Sequence, residues 1–304
     1  MSVGQKRIDI QDIVLDFDGT CTQISPSYEA YLNSYYTGFA SYLLGLGSGQ
    51  TIQPGEWQAA QEAVRLQSPT AGWMLASCPA APAAADPYIL ADESARHILR
   101  QRKLADTRPP TLHSEANEAH LAPWRSEVAG VFAQLMARGI RLHFISNSST
   151  ALIERRLHEL ALSATIQVQS GAAKFQICEP AWDAVPPISQ AAAARFACLP
   201  AAYGTTTQTE LGRPVYLRRG KYFESICRVL DGDMNRLATT VFCGDIWEMD
   251  LAMPYALGAC VHLLERAVPF ATYPYEKQAV AGYGNRAKTS EDLKGLLDWL
   301  HEDA

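Results

Sequence analysis

The chain has 304 residues, 48% hydrophobic and 19% charged, with a formal net charge of -6 at neutral pH. The apolar fraction excludes a disordered polymer, and the length corresponds to about two domains. The acidic balance lacks the basic surplus of a nucleic-acid binder, so an anionic ligand needs a local site rather than a global field.

In chain order, Ile13, Val14 and Leu15 form a short β-rich run that stops at Asp16-Phe17-Asp18-Gly19-Thr20, where Gly19 supplies a turn. From Tyr28 to Arg102 the apolar spacing is helical, with Tyr28, Tyr31, Leu32, Tyr35 and Tyr36 on one stripe and Trp57 to Leu66 on another. Leu44 to Gly49 is a flexible break. The proline-broken stretch from Ala76 to Pro87 reads as a connector inside the helical region. Trp124 to Arg138 is expected as a helix stopped by Gly139, then Ile140 to Ile145 as a buried strand ending at Ser146-Asn147-Ser148-Ser149. Ala151 to Leu162 follows as a helix and Thr165 to Val168 as a strand. Residues 176–216 read as irregular, with five prolines. Then come a helix at Lys221 to Leu230, a strand at Thr239 to Cys243 and a helix at Leu251 to Leu257 closed by Gly258. A strand at Cys260 to Leu264 and a helix at Leu293 to Leu300 complete the order, with no internal repeat.

Strands alternating with helices imply an α/β fold with a parallel, Rossmann-like sheet covered on both faces. Ligands bind such sheets beyond the carboxyl ends of the strands. Three expected strands end there in polar groups: Asp16 and Asp18, Ser146, and Asp245. No run reaches 18 apolar residues, so no membrane helix is expected, and the N-terminus has no apolar signal core. Cys21, Cys78, Cys178, Cys198, Cys227, Cys243 and Cys260 lack CxxC pairs or zinc-like spacing, which points to reduced thiols and a cytoplasmic protein.

Taken one at a time, these features have plainer readings. A DxD pair is commonly a turn, Ser146 a helix cap, and Cys21 and Cys243 small buried hydrophobes. His143 lies in a buried-looking strand and reads as a satisfied core residue, and the tyrosine stripe as helix packing. The functional case rests on order and context together. A carboxylate such as Asp16 can attack phosphorus and split hydrolysis into two displacements. Two anions then need a hard cation, and Mg²⁺ takes oxygen ligands from one or two carboxylates plus phosphate; Asp245 and Asp250 could complete its shell.

The segments LDFDGT, SNSS, a basic helix start and GDIWEMD, in that order, resemble the haloacid dehalogenase superfamily over residues 8–22 and 126–304. The resemblance implies Asp16 as nucleophile and Asp18 as acid and base, with the Asp18 backbone carbonyl as a further metal ligand beside Asp16, Asp245 and Asp250. It also implies phosphate contacts from Ser146 and from backbone N–H groups around Phe17 and Asn147. For the phosphate-binding cation Lys221 is preferred, at the start of the helix before the Asp245 strand; Lys174 and Arg219 are the rivals, and the usual Lys-Pro pair is absent.

Some 130 residues separate Asp16 from Ser146, against roughly 30 for a bare crossover. The resemblance reads that surplus, residues 23–125, as a helical cap on a core of residues 1–22 and 126–304, with 176–216 as a smaller insertion. The expected function is a Mg²⁺-dependent phosphatase acting on a small phosphorylated metabolite through an aspartyl-phosphate, without nucleic-acid or membrane partners. A phosphomutase or phosphotransferase with the same nucleophile, and a non-catalytic metabolite-binding protein, are the alternatives.

Overall fold

The structure, a computed structural model, describes residues 9–47, 49–162, 166–182, 190–203 and 211–297. Its centre is a six-stranded, all-parallel sheet of β1 (Asp12–Leu15), β4 (Arg141–Ile145), β5 (Gln167–Gln169), β6 (Thr240–Gly244), β7 (Cys260–Leu264) and β8 (Ala287–Ser290). The order is β5-β4-β1-β6-β7-β8. The chain runs outward from β1 to one edge and then restarts beside β1 with β6, so the strand order reverses between those two strands. Such a reversal opens a crevice at the carboxyl ends.

The central strands are largely apolar on both faces because both are covered. Val14, Phe242, Val261 and Leu263 pack into one core, and Ile13, Leu15, Leu142, Phe144, Val241 and Cys243 into the other. Helices α7 (Gln190–Ala197), α8 (Gly220–Val229), α9 (Ala252–Leu257) and α10 (Pro274–Ala281) supply the first core. Helices α5 (Val128–Ala137) and α6 (Thr150–Glu159) supply the second.

Between β1 and α5 lies an insertion with its own core. Helices α1 (Tyr28–Leu46), α2 (Pro54–Gln67), α3 (Pro87–Gln101) and α4 (Thr111–Ala119) bury Tyr31, Phe39, Trp57, Leu90, Ile98 and Leu112 together. The two chain crossings into it run side by side: Thr22 bridges Trp124, Gln23 N–H donates to Pro123 O at 2.8 Å and Arg125 N–H to Cys21 O at 2.9 Å. A second interface seats the insertion on the sheet's carboxyl end, where Ala81, Ala85 and Ile89 meet Ile246 and Met249.

Several expectations are corrected. The Ala76 to Pro87 stretch is not a bare connector, because it holds strand β3 (Cys78–Pro82) of a hairpin with β2 (Gly72–Leu75). The two loop residues, Ala76 at φ 46° and Ser77 at φ 67°, both take left-handed backbone, as a two-residue hairpin turn requires, without the Asn-Gly that usually announces it. The prolines are tolerated because both strands are edges. The helix expected from Trp124 begins at Val128; Trp124 instead packs edge-on against Phe17 at 5.3 Å. Helix α7 lies inside the stretch read as irregular, of which 183–189 and 204–210 fall outside the described residues. The expected strand at Thr165 to Val168 sits at Gln167–Gln169, and the expected helix at Leu293 to Leu300 runs past the described residues after 297.

Candidate active site

Three strand ends converge on one cavity of about 490 Å³ beneath the insertion. From β1, the Asp16 N–H continues the ladder by donating to Cys243 O at 2.9 Å, and the chain then turns at Gly19, φ 82°. A Cβ on Gly19 would lie 2.4 Å from Asp245 Oδ2, so only glycine lets the loop approach that carboxylate. Arg125 fixes the turn by donating to Gly19 O at 2.9 Å. Phe17 points its ring into the core against Phe144 and Trp124, which leaves only its backbone for a ligand.

From β4, Ser146 donates its N–H to Gln169 O, and its hydroxyl accepts from Ser148 N–H at 3.1 Å. The helix cap foreseen for Ser146 falls to Ser149, whose hydroxyl accepts from Leu152 N–H at 3.3 Å. Ser148 donates to Asp18 Oδ2. The loop after β5 is braced on this turn, with Gly171 N–H on Ser148 O, Ala172 N–H on Ser146 O and Lys174 N–H on Asn147 Oδ1 at 2.8 Å.

That bracing delivers the cation. Lys174 Nζ lies 2.5 Å from Asp16 Oδ1 and 2.6 Å from Asp250 Oδ1, with the side chain 2% exposed. The preference for Lys221 is therefore corrected. Lys221 stands in the first turn of α8 with its side chain 40% exposed, and its ammonium pairs with Glu224, three residues on, at 3.1 Å. Arg219 is buried but does not line the cavity: it donates to Lys174 O at 2.8 Å and to Ala80 O at 2.6 Å, so it backs the lysine loop.

Asp245 and Asp250 follow β6. A π-helical turn, Trp247–Leu251, aims Asp250 back at the strand end, where its Oδ2 accepts from Ile246 N–H at 3.0 Å. Its backbone carbonyl accepts from Tyr222 at 2.8 Å, and Gly244 leaves room for it, since a Cβ there would sit 2.3 Å from the Asp250 Cβ. Carboxylate oxygens of Asp16, Asp245 and Asp250 lie within 4.8 Å of one another. Asp245 Oδ2 is buried and has no hydrogen-bond partner among the described residues, whereas both oxygens of Asp250 are engaged. An orphaned carboxylate oxygen among acidic neighbours suits a hard divalent cation held by oxygen ligands.

The charges are arranged against their desolvation. Burial pushes the Asp16 carboxyl up to about 7; the Lys174 ammonium opposes that rise and the Asp250 carboxylate adds to it. Burial also raises Asp18, opposed by its Ser148 hydrogen bond. Asp245 is raised well above the carboxylate range by burial, partly relieved by Arg266. For Lys174 burial disfavours the charge, yet the Asp16 and Asp250 carboxylates keep the ammonium fully protonated. Asp16 and Asp18, two residues apart, thus have different partners: one is ion-paired with a lysine, the other held by a hydroxyl.

Ser148, Tyr222 and the insertion's contribution to the cavity, Trp73, Tyr88, Asp92 and Asn117 among them, were not anticipated from sequence. Ser148 was within reach of a sequence reading, as a second hydroxyl in SNSS; nothing marks the others. His143 is a core residue whose Nε2 hydrogen-bonds Asp12 at 2.9 Å, but its buried Nδ1 has no hydrogen-bond partner among the described residues, so it is only half satisfied. Cys21 and Cys243 are buried, as their plainer readings had it.

No protein-family model matches the sequence, and no curated protein matches it. Solved structures do. A predicted phosphoglycolate phosphatase from Haemophilus somnus is 13% identical, with 97% of this chain and 99% of that one covered at a TM-score of 0.50. The magnesium-bound HAD-hydrolase candidate YfnB from Bacillus subtilis is 9% identical, over 97% and 100%, at 0.48. The L-2-haloacid dehalogenase from Xanthobacter autotrophicus is 14% identical, over 97% and 100%, at 0.46. The parallel sheet of this order, with helices on both faces, is the haloacid dehalogenase-like fold.

Proposed function

We propose that the protein is a Mg²⁺-dependent phosphatase acting on a small phosphate monoester, with Asp16 as the nucleophile. The observation that carries the reading is the division between the two carboxyls of one turn. Burial raises both carboxyls, but Asp16 has the Lys174 ammonium at 2.5 Å, which favours its charged form, while Asp18 is held by the Ser148 hydroxyl and is suited to carry a proton. Environments that separate two neighbouring carboxyls assign one to attack and one to proton transfer. Displacement of a halide has no use for the second.

An Asp16 oxygen attacks phosphorus, and the ester oxygen leaves with the proton that Asp18 gives it, which produces an aspartyl-phosphate and an alcohol. Asp18 then takes a proton from a water that attacks phosphorus, and the Asp16 carboxylate and phosphate are released. Asp16, Asp245 and the Asp18 carbonyl would hold the ion, with Asp250 orienting Lys174 beside them. A divalent ion bound there would supply positive charge between the phosphate and these carboxylates. Ser146 and the backbone at Phe17 and Asn147 would bind phosphate oxygens.

The insertion at residues 23–125 acts in this reading as a cap over the cavity, whose volume admits a metabolite and not a macromolecule. No described helix is long and apolar enough to cross a membrane. Seven free cysteines support a reducing, cytoplasmic setting. Phosphate release from a panel of monoesters, alongside halide release from 2-haloacids, each with chelator and with Mg²⁺, tests the reading. Phosphate release that stops on chelation and returns with Mg²⁺ is expected. Halide release without metal, or phosphate release in excess chelator, would overturn it, and transfer of the phosphoryl group to a second substrate hydroxyl would make the enzyme a phosphotransferase.

A further inference from the structure

The half of the cavity formed by the insertion has a composition that selects a leaving group. Two half-buried rings, Trp73 on β2 and Phe175 in the lysine loop, meet edge to face at 5.2 Å, and Leu75, Ile89 and Met249 extend that apolar wall. Phe175 directly follows Lys174, so the aromatic wall begins beside the cation at the nucleophile. His113 and Asn117, one turn apart on one face of α4, also line the cavity. His113 Nδ1 is engaged by the Tyr31 hydroxyl at 2.9 Å, which fixes the ring and leaves Nε2 for a ligand. Asn117 is 7% exposed, lines the cavity, and its side-chain amide has no hydrogen-bond partner among the described residues. The amide atoms remain accessible from the cavity, so a ligand there can take up the hydrogen bonds that the protein leaves unmade.

The charges on this wall are already matched. Arg96 meets Asp92 at 3.2 Å, Glu93 at 3.3 Å and Asp106 at 3.5 Å. Asp92 accepts in turn from Trp73 Nε1 at 2.7 Å and pairs with Arg108 at 3.0 Å. Lys174 is committed to Asp16 and Asp250. Among the described residues lining the cavity, no cation is left for a second anionic group on the substrate.

We propose that the leaving group is an uncharged aromatic alcohol bearing a neutral polar substituent, its ring against Trp73 and Phe175 and its substituent hydrogen-bonded by Asn117 and His113. This specifies the substrate of the phosphatase reading and rests on it for turnover, though not for binding. Sugar phosphates lack the planar face this wall fits, and carboxylate-bearing esters would bury an unpaired anion.

The test has a binding arm and a turnover arm. Isothermal titration of the wild-type protein with 4-hydroxybenzamide, phenol and 4-hydroxybenzoate should rank them in that order. The amide is expected to gain about two- to tenfold over phenol, the range of one neutral hydrogen bond. The carboxylate is expected to bind at least about tenfold more weakly than the amide. For turnover, the ratio of kcat/KM for 4-carbamoylphenyl phosphate to that for phenyl phosphate is compared between wild type and Asn117→Leu, so that leaving-group reactivity cancels. The substitution should lower that ratio by about two- to tenfold. Binding of 4-hydroxybenzoate as tight as that of the amide, or an unchanged ratio in the variant, would overturn the inference with the phosphatase intact. Preference for the amide in titration, with no phosphate released from any ester, would uphold the leaving-group site and overturn the phosphatase.

Discussion

Replacing Lys174 with Met tests the assignment of the cation most directly. The two side chains are of similar length, so the change removes charge with little change in packing. The ammonium sits between Asp16 and Asp250 at 2.5 and 2.6 Å, and the three side chains are 2%, 11% and 4% exposed. With charge centres about 4 Å apart and an effective dielectric near 20, each attraction is worth about 4 kcal/mol, most of it offset by desolvation. Removing the cation leaves two buried carboxylates facing each other, and breaking a buried pair this way costs about 3–5 kcal/mol. Urea unfolding of the metal-free Lys174→Met protein should show that loss, and Mg²⁺ should recover part of it by supplying positive charge beside the same oxygens. Loss of a preorganised charge at the reacting group should lower kcat by about 10²–10³ even with Mg²⁺ present. Lys221→Met is the control: its side chain is 40% exposed, and the buried Glu224 it pairs with keeps the Ala181 N–H at 2.6 Å and Arg228 at 3.5 Å, so the stability loss should be smaller than at Lys174, with turnover near wild type. A Lys174→Met protein within about 0.5 kcal/mol of wild type, the ordinary scatter of harmless substitutions, would refute the electrostatic account, as would a larger loss of turnover at Lys221.

Three further outcomes are expected. Asp16→Asn should form no phosphoenzyme and no product, whereas Asp18→Asn should lose about 10²–10⁴ in turnover and, with p-nitrophenyl phosphate, show a burst as aspartyl-phosphate accumulates; rapid-quench labelling distinguishes them, and label at residue 18 would reject the division of roles. Gly19→Ala forces a Cβ to within 2.4 Å of Asp245 Oδ2 at φ 82°, so Mg²⁺ affinity measured by titration calorimetry should fall by tenfold or more, about 1.4 kcal/mol or above; unchanged affinity would separate Gly19 from the metal site. At the opposite end of β1, burial raises the Asp12 carboxyl, but hydrogen bonds from His143, Arg141 and Arg236 outweigh it and hold the group well below the usual carboxylate range. Asp12 therefore stabilises the fold fully above about pH 4, its unfolded value, and progressively less as pH falls below it, so the stability lost in Asp12→Asn should be largest near pH 7 and shrink below pH 4 in urea unfolding.

The central strands were legible because they are buried and mostly apolar: Ile13 to Leu15 is a continuous run, while Ile140 to Ile145 is interrupted only by Arg141 and His143 and Cys260 to Leu264 only by His262. The acidic turn was legible because strand, double Asp and Gly-Thr coincide. Strand β8, Ala287–Ser290, was missed for the converse reason: as an edge it keeps only part of its surface buried and has no apolar run. The hairpin of β2 and β3 was missed because Ala76-Ser77 adopts a turn that Asn-Gly would have announced. The cation was misplaced because helix start and strand order are local signals, while the reach of a lysine is decided by tertiary contacts. Nothing in Gly171-Ala-Ala-Lys174 shows that three backbone hydrogen bonds will clamp it to the 146–148 turn. Nor does Lys221 advertise that Glu224 will take its charge.

The placement of Lys174 also explains why so much negative charge is tolerated at the sheet's end. Asp16, Asp18, Asp245 and Asp250 are met there by a single fully buried ammonium, with Arg266 close enough to Asp245 to donate to its backbone carbonyl. Burial raises Asp16, Asp18 and Asp245, and mutual repulsion adds to the rise at Asp16 and Asp245, so this end of the sheet is the least satisfied part of the core. The opposite end of β1 shows what a satisfied carboxylate looks like in the same fold, since Asp12 has two arginines and a histidine on its two oxygens. Rigidity keeps the unsatisfied end from relaxing. Arg219 joins the lysine loop to the insertion through Lys174 O and Ala80 O, while Arg213 joins Glu248, two residues before Asp250, to Pro69 O. Arg219 bonds backbone carbonyls on both sides, whereas Arg213 bonds a backbone carbonyl of the insertion and Glu248 in the turn that carries Asp250, so the lysine loop and that turn are both tied to the insertion. A local shortage of positive charge kept in place by a satisfied surround is what the proposed binding of a cation and a phosphoryl group would require of this site.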